Sequence, residues 1–330
     1  MRKYDVYGLG AALVDTEIEV TDSDLNRFGI DKGVMTLVNE ARQHELIDLL
    51  SDHLCQSSLA SGGSAANSII AAQYFGGKTF YSCKVADDEN GHFYLKDLAD
   101  AGVAFSTTAE QYEGITGKCL VMITPDAERT MNTFLGISET LSLHDIDEEA
   151  LKQSNFVYIE GYLVTSTTGK YAAIKLRQLA EQHQVKTAIS LSDPFIAEHF
   201  NEGISEMVGE MVDILFCNED EAISFTHSNS LDEAIEALKQ RSRSFVITRG
   251  ADGAIVFDGS EQSSVSSPKV TAVDTNGAGD MFAGAFLHSL SQGKSYHDAA
   301  TFAARAAAKV VSQYGPRLRP EQYAELVEQN

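Results

Sequence analysis

The chain has 330 residues, 43% of them hydrophobic, enough to bury a large core of one α/β unit with an appendage. Twenty-five basic against 48 acidic residues leave a net charge of −23, a field that repels nucleic-acid backbones and anionic lipid and excludes both as partners. No apolar run reaches the eighteen or so residues that span a bilayer, and Met1 to Asp5 lead into a strand without a cleavable signal pattern, so the expected location is cytoplasmic.

Four cysteines, Cys55, Cys83, Cys119 and Cys217, stand far apart with no Cys-x-x-Cys pair, the pattern of reduced core residues rather than a zinc site or a disulfide framework. Tyr4 to Gly10 reads as a first strand. Its Gly8-Leu9-Gly10 fails as a dinucleotide fingerprint, because Leu13 occupies the third glycine position and Asp15 to Val20 alternate like a strand instead of opening a helix. A dehydrogenase is thereby disfavoured. Asp22-x-Asp24-x-Asn26 begins like a calcium loop, but Arg27 takes the required glycine position.

Thr16 to Val20 and Val34 to Val38 predict a pair of exposed strands, followed by a helix from about Glu40 to His53. Ser61-Gly62-Gly63-Ser64-Ala65-Ala66-Asn67 is a glycine turn that feeds a helix of small residues. Packing explains the alanines but not Asn67, an amide one turn into an apolar helix that needs a partner. Gly77-Lys78-Thr79 lacks the P-loop context, with Ala72 in place of the first glycine.

A strand over Thr79 to Cys83, a helix over Glu89 to Asp100 and a hairpin of Lys118 to Thr124 with Arg129 to Phe134 come next. Strands at Phe156 to Ile159, Lys186 to Leu191, Asp213 to Cys217 and Ser244 to Thr248 then alternate with helices, among them Thr167 to Gln182. That alternation predicts a mostly parallel sheet covered by helices on both faces, an α/β fold. The segments 11–39 and 103–137 interrupt it and are expected to form a small β-rich lid, leaving 1–10, 40–102 and 138–330 as the core.

Ligands of such sheets gather at the carboxyl ends of the strands. Asn218 and Glu221 stand three apart after one strand. They read either as a helix start or as a pair in which Glu221 holds Mg²⁺ through water and Asn218 meets phosphate. Gly250 and Gly253 form another turn able to border a nucleotide. Val270 to Val273 predict a strand before Asp274-Thr275-Asn276-Gly277-Ala278-Gly279-Asp280, and the apolar spacing of Phe282, Ala285, Phe286 and Leu290 predicts a helix after it. Unpaired amides at such a turn attract phosphate oxygens. Asp280 beside them reads either as a helix-start carboxylate or as a base that takes a proton from an attacking hydroxyl.

Ser61 to Asn67 with Gly76-Gly77 resembles the first signature of the ribokinase-like (PfkB) carbohydrate and nucleoside kinases, and Asp274 to Asp280 resembles the second. Asn218-x-x-Glu221 resembles the family's Asn-x-x-Glu motif, and the likeness runs over nearly the whole chain. It implies a ribokinase-like fold and ATP-dependent phosphorylation of an alcohol, with Mg²⁺ and a monovalent cation such as K⁺. By that resemblance Asp280 is the base and Gly277, Ala278 and Gly279 form the anion hole. Asp15, Gly62, Gly63 and Asn67 hold the substrate; Asn218, Thr248, Gly250, Gly253, Gly277 and Gly279 border ATP. Arg129 is the lid's phosphate contact, and Asp274 binds the monovalent ion.

Glu160 to Leu163, Leu191 to Ile196 and Val212 to Glu219 look most like adenosine kinases, which implies Phe134 and Tyr162 on either side of a purine and the 5′-hydroxyl of adenosine as acceptor. Ala11 departs from the Asn those enzymes commonly carry. A kinase of ribose, fructose or a related free sugar is the alternative, and a non-catalytic nucleoside-binding protein a remoter one. The expected assembly is a monomer or a homodimer paired through the lid.

Overall fold

The computed structural model describes residues 2–50 and 59–328. Its first half runs β1 (Tyr4–Leu9), β2 (Leu13–Glu19), α1 (Asp22–Phe28), β3 (Met35–Leu37), α2 (Glu40–Leu49), β4 (Leu59–Gly62), α3 (Ser64–Tyr74), β5 (Thr79–Ser82), α4 (Glu89–Asp100), β6 (Gly117–Ile123), β7 (Arg129–Phe134), α5 (Glu148–Lys152) and β8 (Ser154–Glu160). The second half continues α6 (Thr167–Gln182), β9 (Lys186–Ser190), α7 (Pro194–His199), α8 (Asn201–Val208), β10 (Val212–Asn218), α9 (Glu219–Thr226), α10 (Leu231–Leu238), β11 (Ser242–Thr248), β12 (Ala254–Phe257), β13 (Gln262–Val265), α11 (Ala278–Ser291), α12 (Tyr296–Val310) and α13 (Pro320–Glu328).

Eight of these strands form one sheet in the order β13-β12-β11-β10-β9-β8-β1-β5, parallel from β5 to β11 and antiparallel at β12 and β13. Its strands are apolar on both sides because helices cover both faces. Ile214, Phe216 and Val246 pack with α3, α11 and α12, while Leu215, Phe245 and Ile247 pack with α6 to α10. The expected α/β fold is thus observed. The other sheet runs β3-β7-β6-β2-β4. Strands β2 and β3 lie in 11–39, β6 and β7 in 103–137, and β4 at Leu59–Gly62, a stretch expected in the core. Leu46 of α2 packs with Ile18, Leu25, Leu120 and Met122 of this smaller body. Among the described residues no helix is long and apolar enough to cross a membrane.

Some expectations need correction. Strands β2 and β3 do not pair with each other, and β2 is not exposed: it lies between β4 and β6 with most of its residues buried. The stretch from Asp22, already set aside as a calcium loop, forms α1, where Thr21 and Asp24 make a reciprocal cap and Gly29 closes the helix at φ 65°. Val270 to Val273 form no strand. The sheet already ends at β13, and the Val273 amide donates to Val311 at the end of α12 (2.8 Å) instead. Helix α2 ends at Leu49; the last residues predicted for it, and Cys55, lie outside the described residues. The other three cysteines are free and buried.

Candidate active site

Between the carboxyl ends of the parallel strands and the smaller sheet lies a cavity of about 850 Å³. Glu160, Ser190, Asn218 and Thr248, at or near the ends of β8 to β11, line one side, and Asp15, Met35, Cys119 and Arg129 of the smaller sheet line the other. A concave, largely apolar volume with a few converging polar groups is the usual form of a small-molecule site.

Helices α3 and α11 are built to start at the same place. Gly284 of α11 packs so closely on α3 that a Cβ there would stand 2.3 Å from the Ser68 carbonyl oxygen. Small residues on both helices permit this approach, and it brings their N-termini together at the cavity. Ser64 Oγ donates to Asp280 Oδ1 at 2.6 Å, and Asn67 Nδ2 donates to Asp280 Oδ2 at 3.1 Å. The buried partner that the Asn67 amide required is therefore Asp280. Burial raises the Asp280 carboxyl above its ordinary value, opposed by Ser64, Asn67 and the Arg129 guanidinium.

Gly277 caps α11 in the left-handed region at φ 73°, with no side-chain cap. The Ala278 amide donates to Thr275 O (3.3 Å), and the amides of Gly277, Gly279 and Asp280 have no acceptor among the described residues. A Cβ on Gly279 would meet nothing within 4 Å. These donors face the open cavity beside Asp280, a ready-made anion site.

The smaller sheet supplies Asp15, buried on β2, whose carboxyl is raised well above its usual value by burial and next by Glu17. Gly62 makes room for it, since a Cβ there would fall 2.0 Å from the Asp15 carboxylate and displace it. Gly63 at φ 94° passes Ala11 O too closely for any side chain. Arg129 donates to Asn276 Oδ1 at 3.3 Å, and Asn276 Nδ2 donates to Glu17 Oε1 at 3.4 Å. Thr275 Oγ1 donates to Ala127 O at 3.0 Å, so the glycine loop is tied to the smaller sheet on both of its polar side chains. Burial opposes the charge on Arg129, but Tyr162, Asp280, Asp193 and Glu221 around it outweigh burial and keep it firmly cationic.

At the other end, Asn218 and Glu221 bond each other reciprocally: Asn218 N and Nδ2 donate to Glu221 at 3.0 and 2.8 Å, and Glu221 N donates to Asn218 Oδ1 at 2.8 Å. They cap α9, as the helix-start reading expects, and they also line the cavity. Burial pushes the Glu221 carboxyl up to about 7. Thr248, Gly250 and Gly253 line the same end. Asp274 stands behind the loop, fully buried, accepting from the amides of Asn276 (2.8 Å) and Gly315 (2.9 Å).

Tyr162 lines the cavity but Phe134 does not. Along β7 the cavity is met by Arg129, Met131 and Thr133, with Leu135 just beyond, and strand alternation turns Phe134 to the opposite side. Sequence reasoning gave no role to Glu160, which is buried in the cavity wall and accepts from Ala11 N (2.7 Å) and Ala65 N (2.8 Å). Its carboxyl is pushed up to about 7 by burial, those two amides pulling the other way. An acidic residue ending a buried strand was the available signal.

Residues 41–322 match the pfkB family carbohydrate kinases. The adenosine kinase of Schizosaccharomyces pombe is 27% identical over 322 residues, which take in 91% of this chain and 92% of that one. The crystal structure of adenosine kinase from Sinorhizobium meliloti superposes with a TM-score of 0.91 at 33% identity, over 98% of this chain and 99% of the other. That of a probable sugar kinase protein from Rhizobium etli CFN 42 does so with a TM-score of 0.93 at 30% identity, over 100% and 99%. A match over most of the chain, with adenosine kinases among the similar proteins on both comparisons, makes this chain a member of the pfkB family of carbohydrate kinases, phosphotransferases whose acceptor is an alcohol.

Proposed function

We propose that the protein transfers the γ-phosphoryl group of Mg·ATP to the 5′-hydroxyl of adenosine. The observation that carries the chemistry is the corner where the Asp280 carboxylate, held by Ser64 and Asn67, adjoins the amides of Gly277, Gly279 and Asp280, which have no acceptor among the described residues. Asp280 takes the hydroxyl proton as the hydroxyl oxygen bonds to the γ-phosphorus and the bond to the bridging oxygen of ADP breaks. The amides and Arg129 hold the negative charge that moves during the transfer. Asp15 receives the acceptor's hydroxyls, and the wall of Met35, Leu37, Met131, Leu135 and Tyr162 offers apolar area for a base. The likeness to adenosine kinases supports the choice of nucleoside.

Among the described residues no three acidic, His or Cys side chains are grouped to hold a metal. That suits an ion carried in by the triphosphate, with Glu221 meeting it through water. Bound Mg²⁺ neutralises phosphate charge. Asp274, buried and accepting from two backbone amides, suits a monovalent cation such as K⁺. The smaller sheet acts as a lid that excludes water, which would otherwise replace the alcohol.

A free-sugar acceptor is the second reading, favoured by the TM-score of 0.93 with a probable sugar kinase and by Ala11. A panel of nucleosides and free sugars, read by ADP release and product phosphate, tests both. Turnover of adenosine above the sugars is expected. Turnover of sugars alone rejects adenosine, and no transfer to any acceptor rejects the kinase.

A further inference from the structure

The short connection between α12 and α13 carries a side chain that belongs to no motif. Arg317 follows Gly315, at φ 91°, and Pro316, and reaches inward until its side chain is 14% exposed. All three ends of its guanidinium are used: Nε donates to Asn67 Oδ1 (3.2 Å), Nη1 to Asp97 Oδ2 (2.9 Å) and Nη2 to Ser61 Oγ (2.8 Å). Ser61 also donates to Asp97, so these two partners close a ring with Nη1 and Nη2 that fixes the plane of the fork while Nε reaches Asn67. Arg317 does not itself line the cavity.

The consequence falls on Asn67. The two ends of a carboxamide have nearly the same shape, but one donates and the other accepts. Turned over, Asn67 would set its oxygen against the Asp280 carboxylate, lone pair against lone pair. Ser64 cannot decide the matter, because it bonds only the other oxygen of Asp280. The guanidinium, which can only donate, does decide it by claiming Oδ1.

We propose that Arg317 is a positioning residue for phosphoryl transfer: it locks the Asn67 amide in the orientation that donates to Asp280 and leaves one Asn67 N–H to meet the acceptor alcohol. This rests on the reading of Asp280 as the base. The charged and titratable groups facing Asp280 from other elements are Arg129 on β7, Asp15 on β2, Tyr158 and Glu160 on β8, and Tyr162 just after it, and none is changed in the test.

The full-length protein is compared with Arg317→Met, Arg317→Lys, Asn67→Ala, the double variant Arg317→Met with Asn67→Ala, and Asp280→Asn. The readouts are kcat and KM against pH, with ADP release as signal, and thermal unfolding. Misplacement of a reacting group is costly, so both Arg317 variants should lose about tenfold or more in kcat. The acid limb of kcat should move to higher pH, because a loosened amide no longer favours the Asp280 anion. The double variant should be no slower than Asn67→Ala alone.

An unmoved acid limb, or losses that multiply in the double variant, overturns the inference even if unfolding temperatures fall. If Arg317→Met does not fold, Arg317→Lys, which keeps the charge beside Asp97, decides by the same readouts. Should Asp280→Asn keep near-normal kcat, the base assignment fails and the inference with it. A normal Asp280→Asn loss beside an unaffected Arg317 pair sinks the inference alone.

Discussion

Asp280, the proposed base, is a residue of ordinary appearance in an unusual setting. A carboxylate in the first turn of a helix is commonplace, and nothing in its own position separates a cap from a base. What favours the base reading here is that both oxygens of Asp280 accept from side chains of another helix, while the amides of Gly277, Gly279 and Asp280 have no acceptor among the described residues. Asp280→Asn should therefore lower kcat by at least about a hundredfold with little change in acceptor affinity, checked by steady-state kinetics and calorimetry. Near-normal kcat would remove it from that role. Glu160 makes a different demand. The fold holds its proton up to about 7, whereas the unfolded chain releases it near 4.5. Stability from this group is present below the lower value and lost as pH rises through the upper one. Glu160→Gln should shrink the fall in urea-unfolding stability between about pH 5 and about pH 8 by up to roughly 3 kcal/mol. An unchanged difference would deny the buried carboxyl this effect. Glu221, also at about 7, adds a fall of the same sign in both proteins.

The N-terminus of α11 contains two glycines with opposite requirements. Gly277 sits at φ 73° with Pro316 atoms 2.6 Å from where a Cβ would be, so both backbone and space demand glycine. Gly279 lies in ordinary helix with open cavity before it. Gly277→Ala should destabilise by about 1–3 kcal/mol. Gly279→Ala should leave the melting temperature unchanged or raised, since alanine favours helix, while its methyl intrudes on the anion site and lowers kcat/KM. Equal effects of the two changes on unfolding would contradict this division.

Elements were legible where a cap or a period announced them: α4 and α6 occupy the predicted residues, and the hairpin of β6 and β7 pairs around Pro125-Asp126. Strands β12 and β13 were not legible, being four residues each, and Val270 to Val273 carried strand-forming residues without a strand to pair with. Local pattern records preference, whereas pairing depends on what the rest of the chain leaves open. The site was legible for a related reason. Gly62, Asn67, Gly277 and Asp280 lie in two compact motifs whose glycines are needed for close approach. Phe134 misled because membership of a strand does not say which side a residue takes, and Arg317 was hidden because its partners lie more than 200 residues away.

The whole molecule carries a net charge of −23, yet its proposed co-substrate is a polyanion. Attraction is confined to a few donors in the cavity, while the surface field repels at long range. At constant Mg·ATP, raising ionic strength from about 0.01 M to about 0.15 M shortens the screening length from about 30 Å to about 8 Å and should lower KM for the nucleotide. A rise instead would mean that Arg129 and its neighbours govern the encounter. The two sheets meet through the loop that bears the anion site, with Thr275 held by Ala127 and Asn276 held between Glu17 and Arg129. If the smaller sheet moves as the proposed lid, swinging it away would break bonds to the same loop that would hold phosphate.

The register of β7 governs more than its length suggests. Arg129, Met131, Thr133 and Leu135 face inward, and Thr130, Asn132 and Phe134 do not. A slip of β7 by one residue against β6 and β3 would exchange odd for even, presenting an amide and a phenyl ring to the cavity and sending the guanidinium outside. Change in what the cavity accepts is thereby channelled to substitutions along a single side of a ribbon, because the pairing on both of its edges holds that side inward.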